Sequence, residues 1–173
     1  MENKDSLSYW TKIAQNNPTE LTAKVNPCND FTQMDADFIM KYANENTEIL
    51  DLASSTGLTI NKYYHKVKHI EAVELYKEFT KFIEKTDKIT IVNCDVKDYN
   101  SDKKFDLVNM FGITCYFNDE EVKSLYKKYQ SYLRPNGKII VKSQFGVEED
   151  VIVSGFSKEL QTDYFCCYRH LPK

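Results

Sequence analysis

The stretch EILDLASSTG, residues 48–57, decides the fold. Its first six residues open on Glu48 and form a short apolar run interrupted by Asp51, and its last four are small residues ending in Gly57, the pattern of a strand running into a tight turn. Four more runs of the same kind follow: HIEAVEL at 69–75, ITIVN at 89–93, FDLVNMF at 105–111 and KIIVKSQF at 138–145. Between them lie segments with helical or turn-like character, TGLTINKYYHK after the first, YKEFTKFIEKT after the second and NDEEVKSLYKKYQSYL after the fourth. The last of these offers Asn118 as an N-cap with Glu121 three residues on, a buried stripe of Val122, Leu125, Tyr126, Tyr129 and Leu133, and a stop at Pro135 and Gly137. Strands alternating with helices are expected to form right-handed βαβ units, giving an α/β fold with a doubly wound, mostly parallel sheet covered on both faces.

Working back toward the start, 5–16 and 31–43 carry apolar residues at helical spacing, so two helices precede the first strand. The segment between them, NNPTELTAKVNPCND, holds two Asn-Pro pairs and little periodicity, which suggests a loop that folds over something. The expected division is an N-terminal helix and lid-like loop over 1–30 and a Rossmann-like domain over 31–173. Beyond KIIVKSQF no two further strands with a crossover helix can be read, so the sheet is expected to lack a C-terminal strand pair and to end on an exposed edge. Such an edge recruits another strand, which makes a homodimer the expectation and DVIVSGF, residues 150–156, the local candidate for pairing.

Composition narrows the function. A chain of 173 residues with 42% hydrophobic and 28% charged residues has the make-up of one ordinary globular domain. Its formal charge of -3 supplies no global basic field, so nucleic acid is not an expected partner. No basic leader or long apolar run suggests a membrane segment, and a cytoplasmic protein is expected. The cysteines, five in number, lack metal-ligand spacing, and the three histidines have no arrangement of a triad, so neither a metal nor a catalytic histidine is expected.

In a sheet of this type, ligands bind beyond the carboxyl ends of the strands. The chemistry-bearing residues stand there: Asp51 and the turn follow the first strand, Glu74 ends the second, Asp95 follows the third and Asn109 ends the fourth. A dinucleotide site would want a glycine-rich turn against a pyrophosphate, whereas this turn keeps only Gly57 and sets a carboxylate beside it. Asp51 suits a cofactor that is cationic near its reacting end. Glu74, about twenty residues further on, is placed to accept both hydroxyls of a ribose. The Cys94-Asp95-Val96 turn can offer a carboxylate to an adenine amine while a backbone N–H meets a ring nitrogen.

Taken together, EILDLASSTG, EAVEL, NCDVKDY, FDLVNMFGITCYF and LRPNGKIIVK resemble, in order, five motifs of the class I S-adenosylmethionine-dependent methyltransferases, over about residues 31–145. That resemblance implies S-adenosylmethionine as cofactor, with Asp51, Ala53, Ser55, Gly57, Glu74, Leu75, Asp95, Val96 and Asn109 at its site. With no evident general base, the expected methyl acceptor is small, polar and already anionic or lone-pair-bearing: a carboxylate, a phosphate or phosphoramidate oxygen, or an amine. As a whole, the chain also resembles small bacterial methyltransferases that tailor surface polysaccharides or their phosphate substituents. Tyr9, Trp10 and Tyr116 are the acceptor-side candidates, although core packing of the first helix is the plainer reading of Tyr9 and Trp10. The sequence departs from the family turn at Ala53 and Ser55, which replace glycines. A chain that binds cofactor without turning over is therefore the alternative.

Overall fold

The computed structural model describes residues 3–23 and 31–143. In chain order the elements are helices α1 (Asn3–Gln15) and α2 (Thr32–Met40), strand β1 (Glu48–Leu52), the single turn α3 (Ile60–Tyr63), β2 (His69–Val73), the single turn α4 (Lys77–Thr80), β3 (Ile89–Val92), β4 (Phe105–Phe111), α5 (Asp119–Gln130) and β5 (Leu133–Lys142). Short 3-10 turns occupy Glu20–Ala23, Tyr64–Lys66 and Thr114–Tyr116. The strands form one parallel sheet in the order β3-β2-β1-β4-β5. Strand order therefore reverses at β1, the position where such sheets open a ligand crevice.

Alternation along the strands sorts the core into two layers. Ile49, Ile70, Ala72, Leu107 and Ile140 pack under Phe38 and Ile39 of α2 and under Ile60 and Tyr63 of α3. Leu50, Leu52, Val73, Val108 and Met110 pack under Leu125, Tyr126 and Tyr129 of α5. Both faces are covered, which is why β1, β2 and β4 read as almost unbroken apolar runs. At the amino ends of the strands, Arg134 clamps the sheet laterally: its guanidinium pairs with Glu48 and, at 2.8 Å, with Asp106, whose carboxylate also accepts from the Glu48 N–H.

Several local expectations change. The segments after β1 and β2 bury Ile60, Tyr63, Phe79 and Ile83 as helices would, yet each contributes only one α-turn. The fifth strand starts at Leu133 rather than Lys138, so Leu133 belongs to the sheet and not to the helix stripe. Its register against β4 jumps between the Phe105–Leu133 and Leu107–Lys138 pairs, and the RPNG sequence, with Asn136 at φ +66°, forms the irregularity. Pro135, which has no N–H to give a ladder, is tolerated there on the edge strand of the described sheet. The segment DVIVSGF lies outside the described residues, as do Cys28, Cys166 and Cys167. Among the described residues no helix is long and apolar enough to cross a membrane.

Helix α5 has the start that its sequence indicated. The Asn118 side chain accepts from the Glu121 N–H at 2.9 Å and the Glu121 carboxylate accepts from the Asn118 N–H at 3.1 Å. Asn118→Ala is expected to cost about 1 kcal/mol of stability, read as a lower urea midpoint at unchanged slope. An unchanged midpoint would show that burial of Tyr126 and Tyr129 alone sets the stability of this helix.

Candidate active site at the carboxyl ends of the strands

The turn that follows β1 is built from left-handed residues at alternate positions: Ala53 at φ +56°, Ser55 at +52° and Gly57 at +76°. Only the last is a glycine. A side chain at Gly57 would set its Cβ 2.8 Å from Ile83 Cγ1, so this position needs glycine for space as well as for conformation. Ser54 closes the turn with its hydroxyl donating to the Asp51 carbonyl at 2.9 Å and its N–H to the Val73 carbonyl at 3.0 Å. The buried Thr56 hydroxyl donates to the Glu20 carbonyl at 2.7 Å, fastening the N-terminal segment to the same turn.

Glu74, just past β2, is 5% exposed. One carboxylate oxygen accepts from the Ser55 N–H at 2.9 Å and the other from the Tyr76 N–H at 2.9 Å. Burial pushes its pKa up, and these backbone donors oppose that. A carboxylate has about four lone-pair directions, so two remain after these bonds. Leu75 stands exposed on the rim beside it. After β3, Asp95 caps its own turn by accepting from the Lys97 N–H at 2.8 Å. Val96 is buried, and its carbonyl is held from α5 by the Tyr129 hydroxyl at 2.6 Å.

Below the turn, Asp51 and Asn109 are register partners on neighbouring strands and project into the same layer. The Asn109 amide donates to Asp51 Oδ2 and to the Tyr63 hydroxyl, both at 3.2 Å. Asn109 is fully buried, and its Oδ1 has no hydrogen-bond partner among the described residues. Burial raises the Asp51 pKa to about 6, against the hydroxyl of Ser54 and the amide of Asn109. The Tyr63 hydroxyl is pushed well above its ordinary value, first by burial and then by the Asp51 charge. At the end of β5, Lys142 pairs with buried Asp35 of α2 at 2.6 Å. The layer thus carries acceptor groups beneath the rim, a setting suited to a cation above it.

Helix α1 lies across this rim. The Trp10 ring meets the edges of Phe79 at 6.1 Å and Tyr116 at 6.4 Å, with Tyr9 against it at 5.2 Å. Phe79 follows β2 and Tyr116 follows β4, so the indole spans the mouth above β1. Tyr9 is 55% exposed, while burial raises the Tyr116 pKa. The structure brings Trp10 and Tyr116 into contact with each other, and it gathers Asp51, Ala53, Ser55, Gly57, Glu74 and Asn109 around the first turn. Asp95 and Val96 form the separate β3 end of the rim. Tyr63, Tyr76 and the Asp35–Lys142 pair escaped sequence reasoning; Tyr63 carried no signal beyond helical spacing from Ile60. A polar cleft at the opposite strand ends, lined by Tyr42, Thr47, Asp106 and Asn136, does not compete, because its carboxylate is already held by Arg134.

The family model of the methyltransferase domain matches residues 49–137. No curated protein sequence matches the chain. Among solved structures, phosphoethanolamine N-methyltransferase 1 of Haemonchus contortus, in complex with phosphoethanolamine and S-adenosylhomocysteine, is 17% identical with a TM-score of 0.70, over 80% of this chain and 31% of that one. DhpI bound to S-adenosylhomocysteine is 19% identical with a TM-score of 0.67, over 83% of this chain and 70% of that one. The glycopeptide N-methyltransferase MtfA is 20% identical with a TM-score of 0.56, over 67% and 54%. At these identities the likeness is one of fold, and the chain spans less than a third of the first structure's length.

The buried acid and the left-handed serine each have a measurable consequence. The folded-state pKa of Asp51, about 6, lies above its ordinary 3.8, so its protonation favours the folded state at low pH and that advantage is lost as pH rises through 6. At pH 8 the charge costs about 3 kcal/mol. Asp51→Asn is therefore expected to raise the urea midpoint at pH 8 and to match the parent near pH 4; a gain independent of pH would remove the titration of Asp51 as its cause. Ser55→Gly relieves a left-handed side chain and is expected to raise stability by about 0.5–1 kcal/mol after the added freedom of the unfolded glycine is counted. A lower melting temperature would mean that the serine side chain itself supports the turn.

Proposed function

The chain belongs to the methyltransferase-domain family, and on that premise we propose that it transfers a methyl group from S-adenosylmethionine to a small polar acceptor. The observation that carries the reading is the position of buried Glu74, bonded to the Ser55 N–H across the mouth of β1 and still holding lone pairs for a ribose. The donor set fits such a cofactor. Glu74 would accept the ribose hydroxyls, with Leu75 as apolar surface beside them, and Asp95 with the Val96 N–H would take the adenine edge. Asp51, held by Asn109, faces the cationic end, and the turn from Ala53 through Ser55 to Gly57 brings backbone close to it.

When bound, the cofactor supplies an electrophilic methyl on a sulfonium. The chain's own contribution is positional: Trp10, Tyr9 and Tyr116 roof the mouth, exclude water and hold an acceptor in line, which is the main source of rate in a displacement of this kind. An acceptor that already offers a lone pair would need no base from the chain. A carboxylate, a phosphate or phosphoramidate oxygen and a neutral amine all qualify. Similarity to an N-methyltransferase of phosphoethanolamine supports the amine among them. The second reading, cofactor binding without turnover, is favoured by the side chain of Ser55 in a left-handed position on the turn.

Glu74→Ala is expected to weaken binding of S-adenosylhomocysteine by about 1–3 kcal/mol in calorimetry, since two hydroxyls lose a charged acceptor. Equal affinity in a variant with native circular dichroism would take Glu74 out of the site. Methylation of an amine panel by the parent chain, followed by mass spectrometry, separates turnover from binding alone.

A further inference from the structure

Tyr76 joins two parts of the molecule that the sequence keeps apart. Its N–H donates to the Glu74 carboxylate at 2.9 Å, and its hydroxyl reaches the other side of the mouth, donating to the Leu7 carbonyl of α1 at 3.2 Å and standing 3.0 Å from the Thr11 hydroxyl. Thr11 in turn donates to the same Leu7 carbonyl at 2.7 Å. The Tyr76 ring meets Phe79 edge-on at 5.5 Å, and Phe79 meets Trp10. The hydroxyl contacts are only partly shielded from water, so each is a bond that opens readily rather than a core tie. Trp10 bridges residues after β2 and β4, and β1 runs between those two strands. An occupant of the β1 turn would lie beneath Trp10 of α1.

We propose that Tyr76 is a positioning residue that latches α1 over the cofactor cleft, a gate that sets how fast cofactor exchanges while leaving its affinity nearly constant; this rests on the function proposed above. The latch is closed in the free protein, so breaking it lowers the cost of lifting α1 equally for entry and for exit. An interaction that touched only bound cofactor would instead slow release alone.

Tyr76→Phe keeps the ring, its Phe79 contact and the backbone bond to Glu74, and removes only the hydroxyl. With S-adenosylhomocysteine flowed over immobilised full-length protein, association and dissociation rates are expected to rise together by about 3–10-fold, the weight of one hydrogen bond, with their ratio constant within about twofold. Thr11→Val leaves the Tyr76 hydroxyl its bond to the Leu7 carbonyl, so it is expected to change both rates less than Tyr76→Phe does, and the double variant to match Tyr76→Phe. Trp10, the sole tryptophan, gives a second readout: its emission in the free protein is expected to shift to longer wavelength in Tyr76→Phe as the roof opens. Unchanged rates, or faster release with a matching loss of affinity, overturn the gate. Failure of the parent to bind S-adenosylhomocysteine overturns the proposed function, and the gate with it.

Discussion

A buried carboxylate holds the carboxyl end of the sheet in shape. Glu74 is nearly inaccessible to water, a placement that costs several kcal/mol unless the charge is hydrogen-bonded, and the Ser55 and Tyr76 N–H groups supply those bonds. The dependence is mutual. Ser55 sits in a backbone region that disfavours side chains, and its N–H points at Glu74 because of that conformation. The turn is thus fixed by the acid of the next strand, and the acid is tolerated because the turn presents a donor.

Stability and site pull against each other across the length of the sheet. The carboxyl end carries the unfavourable features: Ala53 and Ser55 in left-handed backbone, a buried Asp51 with a raised pKa, and an Asn109 oxygen with no partner among the described residues. The amino end carries compensating ones, with Arg134 bridging Glu48 and Asp106 over three adjacent strands, β1, β4 and β5. Exposed ion pairs contribute little one at a time, but this cluster is half-buried and shares its groups, which favours a larger effect. The two ends are coupled through β1 and β4, whose central residues are wholly buried and transmit register rigidly.

The sheet was legible because its strands are apolar runs bounded by small residues, and β4 matches the sequence boundaries at Phe105 and Phe111. The capping box at Asn118 and Glu121 was legible for the same local reason. The segments after β1 and β2 read only as helical or turn-like: periodicity reports which residues are buried, and Ile60, Tyr63, Phe79 and Ile83 are buried whether the backbone between them is a long helix or one turn and a bend. Leu133 was misassigned because helix and strand patterns overlap where one ends on the other, and the register irregularity at Pro135 left no signature in the periodicity. The rim acids Asp51 and Glu74 could be found from strand ends alone. Tyr63 and Tyr76 could not, since what each does depends on a partner 46 or 69 positions away.

That division follows from how the site is made. A residue whose role is to stand at a strand end is fixed by local sequence, because the strand sets its position and the parallel sheet aligns the ends. A residue whose role is to close a contact between elements is fixed only by how those elements pack. Asp51 belongs to both classes: the strand places it, but its raised pKa comes from burial, against the hydrogen bonds of Ser54 and Asn109. A cation arriving above Asp51 would lower the cost of that buried charge. Under the proposed function the free energy lost to burial in the empty site is then recovered on binding, so that ligand occupancy, rather than any further packing in the core, stabilises the carboxyl end of the sheet.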